Sequence, residues 1–294
     1  MKQIIVIVGP TGVGKTKLSI ALAKHFNGEI INADSVQIYK ELNIGTAKIK
    51  TQEKENIPHH LIDIKKVEDN YSVFDYQSDA RKIIDAVLKR GKTPIIVGGT
   101  GLYIKALLYD YRFMKEEKRA DYNHLSNQEL IELIKKYDFN TDVDQNNRRR
   151  LIRVLNKYAN NEDIMDQGGD VLLYDAVFIG LTTERKILYE RINNRVDKMI
   201  EAGLVEEAKG LYNRGVNSKA IMTAIGYKEL YKYFDKKITL KESIDLIKKN
   251  SRHYAKRQYT WFNNKMDINW FEVDINNFNN TTNQVIGYIN QNIV

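Results

Sequence analysis

The sequence predicts an α/β fold: a parallel sheet flanked by helices, with a small inserted helical subdomain and a mostly helical C-terminal part. Three observations predict it. Continuous apolar, β-branched runs at residues 4–8, 93–97 and 175–181 have the character of strands buried on both faces. Helical periodicity alternates with them, as a parallel sheet requires. A polar, charged stretch at 111–144 then breaks the pattern before the strand at 175–181 resumes it.

Each element has its own justification. Residues 15–26 place Leu18, Leu22 and Phe26 on one helical face, 29–32 suggest a second strand, and 71–90 a long helix through Phe74, Ile83, Ile84, Val87 and Leu88. Residues 127–137 form a short amphipathic helix with Leu130, Leu133 and Ile134 apolar, inside the inserted segment. Helices are expected at 184–200, 205–214 and 240–262, a late strand at 270–273, and a surface loop in the Asn-rich stretch 276–283. The division that follows is a catalytic core from 1–110 and 145–294, with the insertion at 111–144.

At 294 residues with 43% hydrophobic content, the chain can bury a sizeable core. It has no cysteine, so disulfides, thiolate metal sites and a cysteine nucleophile are excluded. No run approaches the roughly 18 apolar residues of a membrane span. The apolar start at Ile4 leads straight into a glycine-rich turn, which reads as a buried strand and not as a signal peptide. A cytoplasmic protein without membrane contact is expected, and a monomer, since no coiled-coil seam is visible. The net charge of +8 hints at a polyanionic partner, but basic proteins without one are common.

Gly9-Pro10-Thr11-Gly12-Val13-Gly14-Lys15-Thr16 matches G-x-x-x-x-G-K-[ST] between the predicted strand and helix. Glycines let backbone N–H groups turn inward around an anion, and the helix N-terminus adds its positive end. Lys15 would reach the terminal phosphates, and the Thr16 hydroxyl would ligate Mg²⁺. The fold class is therefore P-loop NTPase-like. ATPases and kinases of this kind usually end a second strand in a metal-directed Asp. Here the run 93–97 ends in Gly98-Gly99-Thr100-Gly101, which weakens that reading.

Asp34 follows the second predicted strand. The carboxyl ends of strands in open α/β sheets form the ligand crevice, so Asp34 should lie near whatever the P-loop holds, as general base or metal partner. The competing reading is an Asp that caps the following turn. Two runs free of acidic residues stand out: Arg148, Arg149, Arg150, Arg153 and Lys157, then Lys248, Lys249, Arg252, Lys256, Arg257 and Lys265. Tyr254, Tyr259, Trp261 and Phe262 interleave the second. Phosphate neutralisation with aromatic stacking holds single-stranded RNA loops, whereas the bland reading is a solvated face over core aromatics.

Taken in order, the P-loop, Asp34-Ser35-Val36-Gln37-Ile38-Tyr39, Gly45-Thr46-Ala47-Lys48, Pro58-His59-His60-Leu61-Ile62-Asp63 and Gly98-Gly99-Thr100-Gly101-Leu102-Tyr103 resemble the tRNA dimethylallyltransferase family. Arg150-Leu151-Ile152-Arg153, Ile225-Gly226-Tyr227-Lys228-Glu229 and Lys256-Arg257-Gln258-Tyr259-Thr260-Trp261-Phe262 continue the series. The resemblance implies transfer of a dimethylallyl group from dimethylallyl diphosphate to the N6 amine of the tRNA adenine immediately 3′ of the anticodon. The P-loop residues Gly9 to Thr16 would hold the donor's diphosphate, and Asp34 would take the amine proton. Arg195 carries over as a diphosphate contact, against a plain reading as a solvated helix arginine. Thr100 carries over as a residue near the reacting groups, and also suits the N-cap of the next helix. Asp34, Ser35, Val36, Gln37 and Thr100, with Arg149, Arg150, Arg153, Lys256 and Arg257 from the basic runs, would contact the anticodon stem-loop. His59 and His60 read as structural. Where many members carry His-Pro-Asn-Asp, this chain has Asp144-Gln145-Asn146-Asn147. A nucleotide-modifying isopentenyltransferase, a P-loop kinase or ATPase, and a noncatalytic RNA-binding module are the alternatives.

Overall fold

The computed structural model describes residues 3–113, 120–138, 143–159 and 170–292. The sheet is built from β1 (Ile4–Val8), β2 (Gly28–Asn32), β3 (His59–His60), β4 (Thr93–Val97), β5 (Ala176–Thr182) and β6 (Asn269–Glu272), in the order β3-β2-β4-β1-β5-β6. Every pairing is parallel. In the centre, Ile5 lies opposite Ile95 on one side and Val177 on the other. All five residues of β1 are fully buried, which is why its sequence is an unbroken apolar run and not an alternating one.

The crossover helices are α1 (Lys15–His25), α2 (Val73–Lys89) and α3 (Gly101–Leu108). On α1, Leu18 and Leu22 turn inward as expected. On α2 the inward face is Tyr76, Ala80, Ile84 and Val87, while Phe74 stays exposed in the first turn. Ser72 and Asp75 close α2 with a reciprocal capping box, the serine hydroxyl accepting from Asp75 N at 3.1 Å and the carboxylate from Ser72 N at 2.8 Å.

The chain divides into two compact units, and the second spans Tyr109–Val171, not 111–144. The described residues 145–159 and 170–171 therefore belong with the insertion. The reason is packing: α4 (Asn127–Tyr137) and α5 (Arg148–Ala159) share a core of Leu130, Ile134, Leu151 and Leu155. The ends of this unit are tied together, Asp110 N donating to Val171 O at 2.9 Å and Val171 N to the Asp110 carboxylate at 3.1 Å. Asn147 caps α5, its side-chain oxygen accepting from Arg150 N at 3.3 Å. Asn and Asp are equally good caps, so the departure at 144–147 preserves the start of the helix.

The larger unit continues with α6 (Arg185–Glu201), α7 (Leu204–Asn213), α8 (Lys219–Thr223), α9 (Tyr227–Phe234), α10 (Leu240–Lys265) and α11 (Phe278–Asn292). The expected surface loop at 276–283 is overturned, because α11 begins inside it. The Asp274 carboxylate anchors its start by accepting from Asn277 N and the Asn280 amide, both at 2.8 Å. Thr281, Val285 and Ile289 then bury one helical face. Three of those inward and anchoring positions, Asn277, Asn280 and Thr281, are Asn or Thr, and that composition hides the periodicity.

Candidate active site

Three loops meet at the carboxyl ends of β1, β2 and β4, where ligand crevices form in sheets of this kind. After β1 the chain turns through Gly12 and Gly14, both at positive φ (83° and 119°), and enters α1 at Lys15. A side chain at either glycine would strain that turn. The first turn of α1 carries no acidic residue, so its positive end is uncompensated. The Lys15 ammonium donates to Gly9 O and Pro10 O at 2.8 and 2.9 Å, which holds it over the loop. Burial pushes Lys15 down to about 7, with Asp34 pulling it back up and Arg195 lowering it further. Thr16 is exposed at the mouth of the loop, whereas Pro10 and Val13 point into the interior as scaffold.

Arginines from α6 complete this end. Arg191 donates to Gly12 O at 3.0 Å, and Arg195 donates to the Thr11 hydroxyl at 3.0 Å. Burial presses the Arg195 pKa below its ordinary value, opposed by Asp34. Arg195 is thus no solvated helix arginine; it is packed against the phosphate loop.

Asp34 caps the following turn and also lines the cleft. One carboxylate oxygen accepts from Val36 N at 3.0 Å, capping the turn. Its backbone is pinned by Asn32, which accepts from Asp34 N and donates to Asp34 O, both at 3.2 Å. The residue nonetheless lines the same cleft as Lys15 and Arg195. Thr100 sits at the head of α3, and its carbonyl accepts the helix's first bonds from Tyr103 N and Ile104 N. Its hydroxyl turns away to accept from Ser35 N at 3.1 Å, joining the loop after β4 to the loop after β2. Gln37 spends its amide N–H on Thr46 O at 3.0 Å and keeps its side-chain oxygen.

The cleft encloses about 1090 Å³, ample for a diphosphate ester together with a nucleobase. Lys15, Lys17, Arg191, Arg195, Lys228 and Arg257 line it against Asp34, Glu53 and Glu55, and Glu55 is already paired with Lys24. Thr11, Gly12, Gly14, Thr16, Ser35, Val36 and Gln37 lie along it as well. Lys256 is exposed on α10, next to cleft-lining Arg257. Arg149, Arg150 and Arg153 are exposed on α5, in the Tyr109–Val171 unit.

Several site residues escaped sequence reasoning. Gln258, buried on α10, accepts from Thr11 N at 2.9 Å and donates to Gly99 O at 3.0 Å, stapling the phosphate loop to the loop after β4. A Cβ on Gly99 would meet the Gln258 amide at 1.9 Å, which explains the glycine there. Tyr254, one turn earlier on α10, lines the cleft. Both α10 residues stand inside the run that reads as a basic stripe, and nothing in an amide or a tyrosine marks it as inward-facing. Of the interleaved aromatics, Phe262 is core, Trp261 packs on Gly101, and Tyr259 leans on Trp270 with ring centroids 4.9 Å apart. His60 bonds buried Glu29 at 2.7 Å and His59 the Ile57 carbonyl at 2.8 Å, so His60 is a structural residue.

A phosphate loop and a strand-end carboxylate lining one cleft on a parallel sheet define a P-loop protein built to hold a phosphorylated ligand. The chain belongs to the IPP transferase family, whose model matches residues 37–265. A tRNA dimethylallyltransferase of Anoxybacillus flavithermus is 49% identical over 98% of this chain and 96% of its own. One from Bacillus mycoides is 49% identical over 92% of this chain and 90% of its own. Among solved structures, the full-length tRNA isopentenylpyrophosphate transferase from Bacillus halodurans superposes with a TM-score of 0.79 at 42% identity, covering 99% of this chain and 97% of that one. A eukaryotic dimethylallyltransferase acting on tRNA gives a TM-score of 0.82 at 31% identity, covering 97% of this chain and 78% of that one.

Proposed function

We propose that this chain is a tRNA dimethylallyltransferase that moves the dimethylallyl group of dimethylallyl diphosphate onto N6 of the adenine 3′ of the anticodon. The observation that carries this reading is one cleft lined by Lys15 of the phosphate loop, by Arg195 of α6 and by Asp34. A kinase reading lacks the acidic strand end: β4 runs into Gly98, Gly99 and Thr100.

The C–O bond of the donor breaks and its electron pair leaves with diphosphate. The N6 lone pair forms the new C–N bond, and the N6 proton passes to Asp34. Charge develops on the leaving oxygens, which the loop N–H groups, Lys15, Arg195 and the start of α1 would stabilise. Thr16 suits Mg²⁺, which binds through few protein ligands plus substrate phosphates. No group of three or more His, Cys, Asp or Glu among the described residues would form a protein cage for it. When bound, the ion would neutralise the leaving diphosphate.

Adenine N6 is reached by drawing the base out of its stack, at a cost of about a few kcal/mol. Arg257, Lys256 and the arginines of α5 are proposed to repay this through the anticodon stem-loop phosphates. No helix among the described residues is long and apolar enough to cross a membrane. The enzyme is proposed to act as a monomer in the cytoplasm, where its tRNA substrate lies.

The test is mass analysis of unmodified anticodon stem-loop RNA, and of AMP in a parallel tube, after incubation with dimethylallyl diphosphate and Mg²⁺. One added dimethylallyl group on the adenine 3′ of the anticodon, lost in Asp34→Ala, is the expected result. Prenylated AMP with unchanged RNA would instead make the chain a nucleotide isopentenyltransferase.

A further inference from the structure

The loop between β2 and β3 is held from the far side by one carboxylate. Glu207, on α7, accepts from Asn43 N at 3.2 Å, from Ile44 N at 3.0 and 3.1 Å, and from Gly45 N at 3.4 Å. Three successive N–H groups converging on one anion form a nest. Buried Tyr227, on α9, donates a further bond to the same carboxylate at 2.5 Å. The loop lies so close to the Tyr227 ring that a Cβ on Gly45 would meet it at 2.6 Å.

This seating has a consequence one residue further on. With the N–H groups of 43–45 turned toward Glu207, the carbonyl of Thr46 faces the cleft side of the loop. It accepts from the Gln37 amide at 3.0 Å and from the Arg195 guanidinium at 3.5 Å. The Thr46 hydroxyl is tied back to Leu42 O at 2.7 Å, which fixes the peptide's orientation. One backbone oxygen therefore aims both the arginine at the donor end and the glutamine at the acceptor end.

We infer that Glu207 is a positioning residue that sets the donor and acceptor halves of the cleft together, through the Thr46 carbonyl. The inference rests on the prenyl-transfer reading of this cleft. Glu207 touches neither substrate. Replacing its carboxylate by an amide keeps one acceptor oxygen but turns a donor toward two of the N–H groups, and replacing it by a methyl leaves all three unmatched. In both variants the Thr46 peptide loses its register, and Gln37 and Arg195 move as a pair.

Steady-state kinetics of the native chain, Glu207→Gln and Glu207→Ala, each measured well below its own Tm with both substrates varied, test this. The expected result is a fall in kcat/KM of about 10²-fold in Glu207→Ala, the cost of misplacing reacting groups by about 1 Å. Glu207→Gln falls less, and KM rises for dimethylallyl diphosphate and for the RNA alike. Lys15→Met is the contrast, lowering kcat and raising the KM of the donor but not that of the RNA. Unchanged KM values in Glu207→Gln, or a rise for one substrate only, would overturn the inference even if Glu207→Ala fails to fold. A native chain that transfers no prenyl group at all would overturn the functional reading and this inference with it.

Discussion

At the two ends of the same sheet lie two clusters of buried charge, and they are balanced in opposite ways. Near the amino ends of β2 and β4, Glu29 has a side chain only 4% exposed and is met by Arg90 at 2.7 Å, Lys92 at 3.1 Å and His60 at 2.7 Å. Burial alone would raise its carboxyl; the hydrogen bonds from Arg90, His60 and Lys92 outweigh that and hold it at about 2. Around the carboxyl ends, Lys15 and Arg195 are half-buried, with Asp34 as the acidic neighbour that supports both. Their own pKa values fall. The first cluster is satisfied by protein groups and holds the fold together. The second is short of negative charge, and a bound diphosphate would supply what it lacks. Excess cationic charge gathered in a half-buried cleft costs stability, and a site that binds an anion is where such a cost is tolerated.

The largest effects expected from this contrast are on activity. Asp34→Ala and Lys15→Met should each lower prenyl transfer by about 10³-fold or more, through loss of the base and of leaving-group stabilisation. Circular dichroism should find both variants folded. Glu29→Gln should do the reverse, keeping transfer intact while costing about 1–2 kcal/mol in urea unfolding, a value reduced because Arg90 and Lys92 are part-exposed. The same carboxylate carries a pH signature. Its folded pKa lies below its unfolded value, so its stabilisation is complete above about 4.5 and is lost as pH falls toward about 2. Acid unfolding of Glu29→Gln should lack that component.

Smaller still is the gain expected from relieving the functional cluster. Arg195→Met should raise Tm by about 2 °C while weakening diphosphate binding, the usual exchange of function for stability. A rise that came with unchanged diphosphate affinity would break the comparison. The functional cluster has a pH signature of its own in Lys15, whose pKa burial lowers to about 7 in the fold against 10.5 in its ordinary state. Between these values the unfolded chain holds more protons, so native stability should climb with pH there, and the climb should be missing in Lys15→Met.

Much of this was legible in the residues, for physical reasons that differ by element. β1 and β4 coincide with their apolar runs because strands buried on both faces admit nothing else. The P-loop was legible because phosphate geometry dictates its glycines and lysine. Asp34 followed from its place at a strand end. What stayed hidden depends on contacts distant in sequence. Gln258 reaches Thr11 across 247 positions, and Glu207 reaches Ile44 across 163. Neither residue type advertises such a role. α11 was hidden by polar residues that bury, and the division at Tyr109–Val171 by a helix whose arginines looked like part of the core enzyme's basic face.

The most direct test of the contrast is a thermal-shift titration with inorganic diphosphate and Mg²⁺ on the native chain, Lys15→Met, Arg195→Met and Glu29→Gln. Ligand that binds only the folded state raises Tm by an amount set by its affinity. The account predicts a clear rise for the native chain and an equal one for Glu29→Gln, with little or none for Lys15→Met and Arg195→Met. Equal shifts in all four proteins, or no shift in the native chain, would contradict it.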